Sequence, residues 1–239
     1  QRLQLVLLVR SIRLRELLRV QDLGVLIQDS LALLAAVRVS SREVLLHVLH
    51  RVEGHHHPVQ IMADMLTIHE HRGTVEGQKV VFIGDGNNVC NSFLNFASVV
   101  PYHFVLAAPA GYDPDPETLA KAQATGLSKI EVVRDPIKAA RDADVLYTDV
   151  WTSMGQEEEG QKRLNDFKGF QINNELLSYA KSDALAMHCL PAHYGEEITE
   201  ASLDGPHSVV FDQAENRMHA QKAVMVMLAN SAGANIQIQ

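Results

Sequence analysis

Lys79-Val80-Val81-Phe82-Ile83 runs directly into Gly84-Asp85-Gly86-Asn87-Asn88, and this junction constrains the chain more than any other stretch. A short apolar run without polar alternation is buried on both faces, the mark of a strand inside a parallel sheet. Gly84 and Gly86 permit a tight backbone turn, and residues 88–98 carry a helical pattern. The first N–H groups of such a helix point at whatever sits above the strand's C-terminal end. In open α/β sheets that crevice is where ligands bind.

A dinucleotide fingerprint is the obvious reading, and two features argue against it. Val89 stands where the third glycine should fall, and the next strand, 103–108, ends in Ala107-Ala108-Pro109 with no carboxylate for a ribose. NAD is therefore not expected. Two glycines alone can simply make a βα turn. Asn87, Asn88, Asn91 and Ser92 add four neutral hydrogen-bonding side chains at the helix start, which suits a polar, non-nucleotide ligand.

The 239 residues give room for one large domain or two small ones, and 46% hydrophobic with 21% charged residues is a globular composition. A net charge of -8 argues against nucleic acid as a partner. No apolar run approaches bilayer length, so no membrane partner is expected. The first residues are broken by Arg10, Arg13, Arg15 and Arg19, which fits neither a span nor a signal peptide. Only Cys90 and Cys189 occur, which suggests a reducing compartment, and the cytoplasm is expected.

Residues 1–54 differ from the rest. They hold eight arginines against five acids, a net +3, with fifteen leucines and nine valines. Residues 55–239 hold thirteen basic and twenty-four acidic residues, a net -11. Leu14, Leu17, Leu18 and Leu31, Leu34 fall at amphipathic-helix spacing, so a short helical segment is expected ahead of the main fold. A linking helix follows over 55–74, opened by Pro58 and stopped by Gly73. Strands are expected at 79–84, 103–108, 130–134, 144–149, 184–187 and 208–211, with helices at 88–98, 117–125, 136–142 and 214–229. Alternating strands and helices imply right-handed crossovers and a doubly wound parallel α/β sheet over 75–230, leaving a tail at 231–239.

Polar residues collect just beyond the expected strands: Asn88, then Asp149 with Ser153-Met154-Gly155, then Cys189, then Arg217. In this architecture those ends converge on one crevice. Taken singly each has an ordinary reading: a cysteine at a strand end is commonly a small buried hydrophobe, an arginine in a helix's first turn is commonly solvated, and Met154 commonly packs in a core. Glu157-Glu158-Glu159 reads as a solvated loop. His55-His56-His57, adjacent on one loop, do not make a closed metal site, and no metal is expected.

Taken together, the stretches are informative. His57-Pro58-Val59-Gln60 with Ala63-Asp64, Gly84-Asp85-Gly86-Asn87-Asn88, Asp149-Val150-Trp151-Thr152-Ser153-Met154-Gly155, His188-Cys189-Leu190-Pro191 and Glu215-Asn216-Arg217 occur in order. Over residues 55–229 they resemble the ornithine carbamoyltransferases. The resemblance implies carbamoyl transfer from carbamoyl phosphate to the side-chain amine of L-ornithine, giving L-citrulline and phosphate, as in arginine metabolism, with no cofactor. It implies that His57 and Gln60, the Leu190 carbonyl and Arg217 hold the carbamoyl end. Asn88, Asp149, Ser153 and Met154 would hold ornithine, and Cys189 would lie beside both substrates. His57, Asp149, Cys189 and Arg217 are thus the expected catalytic set.

The family places a carbamoyl-phosphate domain with a Ser-x-Arg-Thr-Arg loop before the His-Pro-x-Gln motif, and nothing in residues 1–54 matches that loop. The segment is expected to be a remnant or replacement of that domain, with weak phosphate recognition and weak activity. The family's homotrimer is then in question. The competing expectation is a truncated, inactive relative that binds ornithine or a protein partner.

Overall fold

The computed structural model describes residues 57–152 and 159–231. The helical segment expected over 1–54, the residues after 231, and Ser153 and Met154 lie outside them.

The described chain opens with α1 (Pro58–Arg72), β1 (Lys79–Ile83), α2 (Asn88–Ala97), β2 (His103–Ala107), α3 (Pro116–Ala124) and β3 (Lys129–Val133). It continues with α4 (Pro136–Ala140), β4 (Val145–Thr148), α5 (Gly160–Asp166), α6 (Asn174–Tyr179), β5 (Leu185–His188), α7 (Glu200–Leu203) and α8 (Val210–Ser231). The sheet is five-stranded in the order β3-β2-β1-β4-β5, and every pairing is parallel. The chain adds strands on one side of β1, then crosses back to lay β4 on its other side. The order therefore reverses between β1 and β4, the position at which such sheets open a crevice. α2 packs on α1 and α3, whereas α4 packs on α6, as right-handed crossovers on opposite faces require.

Burial explains the strand assignments. Val80 to Ile83, Phe104 to Ala107 and Val145 to Thr148 are almost wholly shielded. Phe82, Phe93, Phe104 and Tyr147 form a continuous aromatic cluster, with Phe82 stacked on Tyr147 at 5.3 Å and Phe93 on Phe104 at 5.6 Å. Each such side chain contributes about 1.5–3 kcal/mol through burial. α1 is buried on more than one side because α8 packs along it and α2 beside it. At the sheet's N-terminal end the Asp144 carboxylate accepts from Arg72, Lys181 and the Lys79 N–H, fastening α1 to β1 and β4.

The first five expected strands fall within about one residue of their observed limits. The sixth is corrected: Ser208 makes one parallel bridge to Ala186, and α8 begins at Val210, ahead of the expected 214. The β-branched run Val209-Val210 misled because the Val209 carbonyl accepts the Gln213 N–H and so starts a helix. Arg217 consequently lies two turns into α8 rather than in its first turn. Helices α5, α6 and α7 have no counterpart in the sequence reading.

Candidate functional site

The turn after β1 is shaped by its glycines. The Gly84 N–H donates to the Ala107 carbonyl and the Gly86 N–H to the Tyr112 carbonyl, so the loop lies against the chain beyond β2. A Cβ on Gly86 would stand 2.3 Å from the Pro114 nitrogen, so the backbone approach excludes any side chain. Asn87 then caps α2: its Oδ1 accepts from the N–H groups of Val89 and Cys90. This fixes the amide, and its Nδ2 donates across the crevice to Asp149 Oδ2 at 2.7 Å.

Asp149, shielded beyond the end of β4, is the hub. Its Oδ1 accepts the Val150 N–H at 2.8 Å and the Cys189 thiol at 2.9 Å. Residues from three strand ends, β1, β4 and β5, thus meet on one carboxylate. Burial and the neighbouring Asp149 charge push the Cys189 thiol well above its usual value, so the sulfur stays protonated and donates.

His57 stands at the N-terminus of α1. Its backbone N–H donates to Ser92 Oγ at 2.6 Å, and that hydroxyl donates to the Asn88 carbonyl, tying the first motif to α2. Burial, followed by the positive charge of Arg217, holds the imidazole below its ordinary value, while Asp149 acts in the opposite sense. The ring is therefore neutral at neutral pH, and both charges reach it. Arg217 is half-buried and takes part in no ion pair among the described residues.

Gln60, one turn beyond His57, is buried; its Nε2 donates to Asp64 Oδ1 at 2.7 Å, and its Oε1 has no partner among the described residues. Leu190 takes φ 57° before a cis bond to Pro191. Its N–H donates to His188 Nδ1 at 2.8 Å, which leaves the imidazole proton on Nε2, 3.1 Å from Glu197 Oε1. A buried histidine–glutamate pair therefore shapes the loop that carries Cys189 and Leu190. His193, Glu196 and Glu197 lie close enough together to share a cation, but Glu197 Oε1 already accepts from His193 N–H.

The structure thus brings Asp149 and Cys189 into contact and sets His57 within reach of the charges on Asp149 and Arg217. Gln60 and Leu190 flank this set. Asn88 caps less than its neighbour does, accepting the Val89 N–H through its own Oδ1. Sequence reasoning missed Asn87 as the side chain that reaches Asp149. It also missed Arg163, which donates to Asp85 Oδ2 at 2.7 Å and to the Trp151 carbonyl at 2.9 Å, clamping the loops after β1 and β4. Nothing in the local sequence marks Arg163. Asp64 had a signal: it lies four residues after Gln60, on the same helix face.

Residues 76–228 match the family model for the Asp/Orn binding domain of aspartate/ornithine carbamoyltransferase. The chloroplastic ornithine carbamoyltransferase of Pisum sativum is 54% identical over 179 residues, 75% of this chain and 48% of the relative. The ornithine carbamoyltransferase of Archaeoglobus fulgidus is 50% identical over 181 residues, 76% of this chain and 59% of the relative. The solved ornithine carbamoyltransferase of Pyrococcus furiosus superposes with a TM-score of 0.69 at 47% identity, covering 76% of this chain and 58% of that one. The chain spans about half to three-fifths of the length of these relatives.

Proposed function

The chain belongs to the aspartate/ornithine carbamoyltransferase family, and we propose that it transfers the carbamoyl group of carbamoyl phosphate to the side-chain amine of L-ornithine, giving L-citrulline and phosphate. The observation that carries this reading is the Asp149 carboxylate, held by Asn87 and Cys189 at the crevice between β1 and β4, with neutral His57 and cationic Arg217 nearby.

In the transfer, the free amine attacks the carbamoyl carbon, the bond from that carbon to the bridging phosphate oxygen breaks with its electron pair going to that oxygen, and the proton shed by the nitrogen passes to the departing phosphate. Asp149 pairs with the amine end of ornithine and orients it, Asn88 serves the same substrate, and the resemblance assigns Ser153 and Met154 to it as well. His57 and Arg217 offer hydrogen-bond donors to the oxyanion that develops on the carbamoyl oxygen, the kind of stabilisation that dominates acyl-type transfers. Gln60 and the Leu190 carbonyl receive the carbamoyl amino group. Cys189 donates to Asp149 and is not asked to act as a nucleophile. No cofactor enters this chemistry.

Among the described residues no helix is long and apolar enough to cross a membrane, and Cys90 and Cys189 are both free thiols; a cytoplasmic place in arginine biosynthesis is the proposed setting. The homotrimer that the resemblance implies depends on contacts through the carbamoyl-phosphate domain that residues 1–54 do not match, and light scattering reads the assembly directly.

The test is citrulline formation from carbamoyl phosphate and ornithine by the 239-residue chain. Turnover that falls by about a hundredfold in Asp149→Asn and is far weaker with putrescine than with ornithine supports the reading. Ornithine binding without citrulline selects the inactive relative instead. Equal use of putrescine sinks the substrate assignment.

A further inference from the structure

Gln60 and Asp64 are the starting observation. Both are almost wholly buried, and Asp64 Oδ1 accepts two amide donors at once, Gln60 Nε2 at 2.7 Å and Gln213 Nε2 at 2.7 Å. Gln213 also reaches the Tyr147 hydroxyl at 3.3 Å, and its Oε1 accepts the His188 N–H at 3.0 Å. One carboxyl therefore joins α1, β4, α8 and the end of β5 just before Cys189. Among the described residues, Asp64 Oδ2 and Gln60 Oε1 in this buried group find no partner.

A glutamine amide has two faces, and only its partners decide which one a ligand meets. With two N–H groups on Oδ1, Asp64 is an acceptor toward Gln60 in either charge state, because any proton it carries resides on Oδ2. The Nε2 of Gln60 must then turn toward Asp64 and Oε1 must turn from it. A buried acceptor without a donor is unfavourable until one arrives. We propose that Asp64 is a positioning residue for the transfer: it locks the Gln60 amide so that Oε1 is an acceptor, selecting the amino group of the carbamoyl donor over its oxygen. This inference rests on the proposed carbamoyl transfer. Through Gln213 the same carboxyl holds the backbone of His188, so the carbamoyl side of the site and the Cys189 loop share one anchor. Burial pushes the Asp64 carboxyl up to about 7, against the lowering effects of Gln60, Gln213, the Tyr147 hydroxyl and the Arg217 charge.

The test is a double-mutant cycle read on the KM for carbamoyl phosphate in the full chain. Asp64→Leu, which removes the acceptor, should raise that KM about tenfold while leaving the KM for ornithine nearly unchanged, and Gln60→Ala should do the same. Because Asp64 acts through Gln60, the double variant should be no worse than either single one. Asp64→Asn keeps an acceptor at Oδ1 and should remain within about threefold of the original chain. Additive losses, close to a hundredfold in the double variant, or Asp64→Asn as damaging as Asp64→Leu, would overturn the proposal.

A second measurement needs no turnover and no stable Asp64→Leu. In nitrogen-15 spectra of the original chain, the side-chain amide protons of Gln60, assigned by their loss in Gln60→Ala, should exchange with solvent at least about tenfold slower than those of an exposed glutamine. Exchange as fast as an exposed amide overturns the hydrogen bond and the proposal with it. A chain that forms no citrulline yet shows slow Gln60 exchange refutes the functional reading, and hence the role in transfer, while the amide lock itself stands.

Discussion

The thiol of Cys189 donates to Oδ1 of Asp149 at 2.9 Å, so the cysteine nearest the candidate amine site is a hydrogen-bond donor and not a thiolate. Burial and the Asp149 charge both work against ionisation. Alkylation at pH 7.5 should therefore be slow, and Asp149→Asn should speed it by about threefold to tenfold, with the burial contribution left in place. Added ornithine should slow it further. Mass spectrometry of iodoacetamide-treated protein reads all three, and labelling that ignores both Asp149 and ornithine would mean that the sulfur is merely core packing.

The position of Arg217 relative to His57 has a measurable consequence. Arg217→Gln removes a positive charge that, after burial, holds the imidazole down, so the His57 midpoint should rise toward the ordinary 6.5. Histidine ring resonances followed against pH give the answer, and an unmoved midpoint would place the guanidinium too far away to matter. The sign for stability follows. A histidine depressed in the folded state contributes stability that is present above the unfolded value near 6.5 and is lost as the pH falls below it.

Asp64 acts on stability in the opposite direction. Its folded value near 7 lies above the ordinary 3.8, so the folded chain holds a proton that the unfolded chain has released. Stability should drop as the pH rises from about 4 to about 7, by on the order of 2–3 kcal/mol between pH 5 and pH 8. Asp64→Asn has no proton to lose and should flatten that limb. Urea denaturation at several pH values measures it; identical pH profiles for the two proteins would exclude a raised Asp64.

Arg163 and Asp85 form a shielded ion pair, 8% and 16% exposed at their side chains, and Arg163 also holds the Trp151 carbonyl. Arg163→Met leaves Asp85 without its charge partner and should cost about 3–5 kcal/mol of stability. It should also weaken ornithine binding, because the clamp joins the loops after β1 and β4. Calorimetry on a variant shown to be folded separates the two effects. A loss under about 1 kcal/mol would class the pair as solvent-screened.

The sequence by itself determined the sheet and its crevice. Apolar runs such as Val80 to Ile83 and Leu146 to Tyr147 fix buried strands because continuous apolar side chains must be covered on both faces, and Gly84 and Gly86 mark the turn because backbone packs where a Cβ would stand. These are local signals, carried by neighbours in the chain. Partnership is not local. Asn87 meets Asp149 across 62 residues, Cys189 meets it across 40, and Gln213 meets Asp64 across 149. Two adjacent asparagines are equivalent as letters, yet only Asn87 caps α2 with one end and reaches the carboxylate with the other. The β-branched pair Val209-Val210 is strand-like by propensity, yet Val210 opens α8, since β5 offers a single bridge at Ser208 and the chain then turns onto α1. Hydrogen-bond direction, the choice between equivalent side chains and the ionisation of a buried carboxyl all depend on which groups the fold leaves without water, and only the tertiary structure decides that.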